Sequence, residues 1–128
     1  MKLYIVGNDI FPKDLSAPLI SEILKKQFPQ ALIIHIDPTE DFIPEEKSLI
    51  IDTVIGTDIP RLFTSLDDFV EFKSSSVHDY DLYLHLSLLI KTGRIKNICI
   101  LGLPKIQNIE EIVDDVVSLI RKYETSNY

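Results

Sequence analysis
The chain has 128 residues, 45% of them apolar, a single cysteine and a formal net charge of −7. One domain over residues 1–128 is expected, large enough to bury roughly two thirds of its unfolded surface without covalent staples. The lone Cys99 excludes an internal disulfide framework and a CxxC metal knot, and the acidic balance argues against a phosphate-binding nucleic-acid surface.

Lys2 to Val6 reads as a first strand, bounded by Gly7-Asn8. That apolar run is too short for a signal-peptide core, and no stretch approaches the roughly 20 apolar residues of a spanning helix. A cytoplasmic chain without a membrane span is therefore expected. Leu19, Ile20, Ile23 and Leu24 then fall at helical spacing, with Ser16 at the cap, Pro18 in the first turn and an end before Pro29. Ala31 to Ile36 is a second strand ending in Asp37-Pro38, which completes a βαβ unit.

The third strand is the run from Ser48 to Gly56, among the most β-branched in the chain, with a carboxylate inside it. Such a run suits a strand buried on both faces of a largely parallel sheet. An ionised Asp52 there costs several kcal/mol or more unless it is partnered, and fold physics alone would put Val or Thr at this position. Asp52 therefore either ends the strand and bonds the following loop, or is a site residue beyond the sheet's carboxyl edge.

Arg61 to Leu66 reads as a short edge strand, antiparallel because no helix separates it from strand three. Asp67 to Phe72 fits helix or strand equally. After the serines at 74–76, Leu82, Tyr83, Leu86, Leu89 and Ile90 mark a second helix, begun by His78-Asp79 and closed by Gly93. Asn97 to Leu101 is the last strand, ending at Gly102. Asn108 and Glu111 form a capping box, and Ile109, Ile112, Val113, Val116, Val117 and Ile120 stripe a final helix with a frayed tail from Glu124. The sum is a three-layer α/β domain: a mostly parallel mixed sheet of about five strands with helices on both faces.

Polar residues crowd the expected carboxyl ends of the strands: Asp9 and Asp14 after the first, Asp37 after the second, Asp52 at the third, and His78 and Asp79 where the second helix begins. Two carboxylates and one imidazole from separate loops suit a divalent transition metal with open positions. Each residue also has a plainer role. Asp14 favours a helix dipole, Asp37 before Pro38 suits a turn, and Asp79 suits a helix cap. His35 reads as a half-exposed strand residue, His85 as a packed or surface histidine, and Cys99 as a small hydrophobe in the last strand. No nucleophile elbow, catalytic serine triad spacing or glycine-rich phosphate loop is present.

Four segments, in order, resemble the nickel–iron hydrogenase maturation proteases. Val6-Gly7-Asn8-Asp9-Ile10-Phe11-Pro12-Lys13-Asp14 resembles the family's Gly-Asn opening with its acidic pair, and Leu49-Ile50-Ile51-Asp52-Thr53-Val54 its apolar strand with an aspartate. Ser76-Val77-His78-Asp79-Tyr80-Asp81-Leu82 is similar to its Ser-x-His segment, and Gly102-Leu103-Pro104 to the end of its last strand. The resemblance implies a metal-dependent endopeptidase that trims the C-terminal extension of a hydrogenase large-subunit precursor after nickel insertion. It implies Asp14, Asp52 and His78 as the metal-contacting catalytic residues, with nickel or another divalent metal supplied by the precursor, no further cofactor and a monomeric protein. The chain is a short, divergent member on this reading. Lys13 replaces the first acid of the pair, Ala17 stands for a usual glycine, Asp37-Pro38-Thr39 for an Asp-Gly-Gly-Thr turn, and Asp81 for the glycine after His78. A rival reading is a phosphoacceptor receiver domain, with Asp9, Asp52 and Lys105 as its acids and lysine. A third is a member that binds a hydrogenase subunit without cleaving it.

Overall fold
The computed structural model describes residues 1–6, 16–37, 41–72, 77–105 and 108–126, and for residues 16–19 and 77–81 it describes the backbone. Five strands form one sheet: β1 (Lys2–Val6), β2 (Leu32–Ile36), β3 (Leu49–Val54), β4 (Arg61–Phe63) and β5 (Ile100–Pro104). Their spatial order is β2-β1-β3-β5-β4. All neighbours are parallel except β4, which runs antiparallel to β5 on the edge. The helices are α1 (Ser16–Gln27), α2 (Leu66–Val70), α3 (Val77–Lys91) and α4 (Val113–Ser126).

Alternation along the strands sorts the core into two layers. Leu3, Ile5, Leu49, Ile51, Leu101 and Leu103 pack under α1 and α4 with Ile20, Leu24, Val116 and Ile120. Tyr4, Val6, Ile50, Val54 and Ile100 face the other way, toward α2 and α3, with Phe69, Leu82, Leu86 and Leu89. β3 and β5 are buried along their whole length because both faces are covered.

Several local boundaries differ from the sequence reading. The edge strand is antiparallel as expected, but its partner is β5 rather than β3. The ambiguous stretch after it is helix α2, because the Ser65 side chain accepts a hydrogen bond from the Asp67 amide and so starts a turn. Helix α1 already includes Ser16, and α3 already includes His78 and Asp79, so neither Ser16 nor Asp79 stands as a cap outside its helix. The last strand begins three residues later than expected. Cys99 precedes it, buried, with its carbonyl accepting from the Ile50 amide. Asn108 caps a 3-10 turn, Ile109–Glu111, which leads into α4 instead of forming its first turn. Glu124 is helical, since α4 continues through Ser126.

The C-terminus of α3 follows the sequence closely. Gly93 has φ +74°, its amide donates to Ile90, and the Arg94 amide donates to Leu89, which is the double bond pattern of a Schellman cap.

Candidate functional site
Chain reversal in the sheet creates one place where neighbouring strands part. The β1–α1–β2 unit lies to one side of β1, and β3 lies to the other. Between such strands the carboxyl edge of an open α/β sheet forms a crevice. Among the described residues, pairing of β1 with β3 runs from Leu3↔Leu49 to Ile5↔Ile51, while β3 continues against β5 through Val54↔Pro104. Asp52 is the first residue of β3 beyond that parting. It does not end the strand, because Thr53 and Val54 follow it within β3. Two buried residues thus lie between this carboxylate and the loop.

Asp52 is only 3% exposed, among Ile50, Ile51 and Val54 at 1% or less. Its Oδ1 accepts a 2.9 Å hydrogen bond from the Thr53 amide, which fixes the carboxylate against its own backbone. Alternation puts its side chain on the α2/α3 face with Ile50 and Val54.

Helix α3 packs on this same face through Leu82, Leu86 and Leu89. The Ile55 amide, just past β3, donates to the Phe72 carbonyl at 2.8 Å. Only residues 73–76 separate Phe72 from Val77, the first residue of α3. His78 has its backbone in the first turn of α3, a helix that packs on the face Asp52 occupies. Asp14 and Asp9 lie outside the described residues, as does the side chain of His78. Asp37, just after β2, is half-buried. Among the described residues no three His, Cys, Asp or Glu side chains group to hold a metal ion, and of the three expected ligands only Asp52 has a described side chain.

His85 and Cys99 serve the scaffold. His35 is exposed on edge strand β2, more so than the half-exposure expected. His85 is half-buried, and its Nε2 meets the backbone of Phe42 while its ring lies 5.5 Å from the Phe42 ring. It pins the segment between β2 and β3 across Tyr4, whose ring is 5.4 Å from Phe42. Cys99 is 6% exposed, and burial pushes its thiol up to about 11. It lines a cleft of about 770 Å³ with Ser48, Leu62 and Tyr123, but that cleft opens at the amino ends of β3 and β5, the rim opposite Asp52.

One rim residue was not singled out by the sequence reading. Arg61 stands opposite Gly102, which in turn stands opposite Asp52, so the three form one row across β4, β5 and β3. Its Nε donates to Thr57 Oγ1 at 3.2 Å, and its guanidinium lies 5.2 Å from the centre of the Phe72 ring. Local sequence marks Arg61 only as the start of a strand. Its place in the row depends on pairing with a segment some forty residues away, which no local pattern encodes.

No family model matches the chain, and no curated protein matches it by sequence. Solved structures do. The NiFe hydrogenase maturation protease HybD from Thermococcus kodakarensis aligns over 94% of this chain and 96% of its own, with a TM-score of 0.69 and 17% identity. The hydrogenase maturating endopeptidase HybD from E. coli aligns over 94% and 91%, with a TM-score of 0.68 and 17% identity. A hydrogenase 3 maturation protease aligns over 96% and 90%, with a TM-score of 0.65 and 22% identity. The five-stranded mixed sheet, its helices and their order are therefore those of the hydrogenase maturation protease fold.

Proposed function
We propose that the chain is a metal-dependent endopeptidase that removes the C-terminal extension from a nickel–iron hydrogenase large-subunit precursor once nickel is in place. The observation that supports this most is the placement of Asp52: a buried carboxylate at the parting of β1 and β3, on the face where the first turn of α3 carries His78. Asp14, from the β1–α1 connection, would complete a set of two carboxylates and an imidazole. That set suits a transition-metal ion borne by the substrate.

When bound, the ion supplies an anchor for the tail or Lewis-acid polarisation of the scissile carbonyl. The chain's own contribution is orientation and dryness. The Thr53 amide holds the Asp52 carboxylate in one rotamer, and the walls at Ile50 and Val54 keep bulk water from its flank. The cytoplasm is the compartment where such a precursor would be met. Among the described residues no helix is long and apolar enough to cross a membrane.

The receiver-domain alternative fits the sheet less well. Receivers are all-parallel with order 2-1-3-4-5, whereas the edge strand here is antiparallel and the order is β2-β1-β3-β5-β4. The test is cleavage of the nickel-loaded precursor of the same organism by Asp14→Ala, Asp52→Ala and His78→Ala. Loss of processing in each is expected, and full activity in all three removes the assignment. Nickel-dependent binding of precursor by the wild-type chain without cleavage would identify a non-cleaving member.

A further inference from the structure
Arg61 is exposed, yet its side chain is held. Nε is committed to Thr57 Oγ1 at 3.2 Å, and the guanidinium plane is supported by Phe72 at 5.2 Å. Thr57 lies in the turn after β3, and Phe72 is tied to Ile55 by a backbone hydrogen bond, so the group sits at the carboxyl rim. Among the described residues no carboxylate pairs with it. Asp58, three positions away, forms no ion pair with it although it is exposed on the same turn. Two strand spacings, roughly 10 Å, separate its backbone from that of Asp52. Lys105, exposed directly after β5, adds a second cation to this end of the rim.

A pre-positioned guanidinium whose Nη groups meet no hydrogen-bond partner among the described residues suits a planar carboxylate, which it can meet with two parallel hydrogen bonds. A polyanion is a poor match, because the chain carries a net charge of −7. Resting on the peptidase reading above, we infer that Arg61 is a specificity-determining residue that binds a carboxylate of the peptide tail. The tail would then meet Arg61 at the rim beside the turn that holds Thr57, because Phe63 and Val54 close the row between Arg61 and Asp52.

The test compares the precursor carrying its native tail with one whose tail carboxylates are replaced by amides, using wild type, Arg61→Gln and Arg61→Lys. The expected result is a KM about fivefold higher for Arg61→Gln on the native tail. The neutral tail should show no such change, and Arg61→Lys should recover only part of the loss because it lacks the planar fork. Equal effects on both tails, or none on either, would overturn the inference. Fluorescence anisotropy of the labelled tail peptides, acid against amide, separates the two claims. If wild type cleaves neither precursor but still prefers the acid peptide through Arg61, the peptidase reading falls and the carboxylate site stands. If wild type cleaves both equally well and binds both peptides alike, the carboxylate site falls and the peptidase reading stands.

Discussion

Gly102→Ala tests how the row from Arg61 to Asp52 is built. A Cβ placed on Gly102 would lie 2.7 Å from Phe63 Cε2 and 3.0 Å and 3.2 Å from the two methyls of Val54. Neither neighbour can retreat easily. Val54 is fully buried, and the Phe63 ring is wedged edge-on against Phe69 at 5.7 Å and tilted against Phe72 at 5.3 Å. Forcing an extra methyl into a closed core costs about 1–3 kcal/mol. Restricting the unfolded chain offsets about 0.4–1 kcal/mol of that. A net loss of about 1–2 kcal/mol remains. With an unfolding entropy of about 2.1 cal/mol/K per residue, this lowers the melting temperature by about 4–7 °C. Urea titration and calorimetry of wild type, Gly102→Ala, Phe63→Leu and the double variant complete the measurement. Because trimming Phe63 opens the space the methyl needs, the double variant should be more stable than additivity allows, by about 1 kcal/mol. A Gly102→Ala variant as stable as wild type, or an additive cycle, would refute the close-approach explanation for this glycine.

Three further outcomes follow from the structure. Asp52→Asn keeps an acceptor for the Thr53 amide, so it should melt within about 1 kcal/mol of wild type while precursor processing is lost; unfolding of the variant would make the carboxylate a structural requirement instead. His85→Ala removes the contacts to the Phe42 backbone and ring, and should cost about 1–2 kcal/mol with faster amide exchange confined to the segment before β3; unchanged exchange there would sink that role. For Cys99 the folded thiol titrates at about 11 against an ordinary value of 9.0, so its contribution is intact below pH 9 and is lost as pH rises toward 11. Wild type should therefore lose stability relative to Cys99→Val across that window in parallel denaturant titrations, and a constant difference would contradict the burial argument.

Much of the frame was legible because its elements are strongly patterned. Lys2 to Val6 and the Ile-rich run around Asp52 are too β-branched and continuous for anything but covered strands, and both appear where the pattern put them. Gly93 ended α3 through the only backbone conformation that closes its last turn without strain. The misreadings share a cause. Ile98 and Cys99 look like strand because they are apolar and buried, but burial beside a sheet does not require pairing along it. The partner of β4 was misassigned because register is a long-range property that short loops constrain only weakly. The candidate site was legible as a set of residue types near strand ends. What the sequence could not supply was the depth of Asp52, since among the described residues strand pairing on the β1 side ends three residues earlier than pairing on the β5 side.

That unequal ending gives Asp52 its character. Had β1 stayed paired with β3 as far as β5 does, an acid at this position would be enclosed by strands on both sides, and packing would favour an apolar residue there. Had both partners stopped at Ile51, the carboxylate would sit in the loop, freely hydrated, with nothing to hold its rotamer. Among the described residues β3 pairs with β5 through Val54 and with β1 only as far as Ile51, so the β5 flank of Asp52 is rigid and dry. A position of this kind costs the fold stability and adds nothing to its packing. Where local rules and the global fold disagree at a single buried charge, function is the expected reason. This is why stability and processing should separate in Asp52→Asn: the scaffold should tolerate the amide, and the proposed metal site of two acids and a histidine should not.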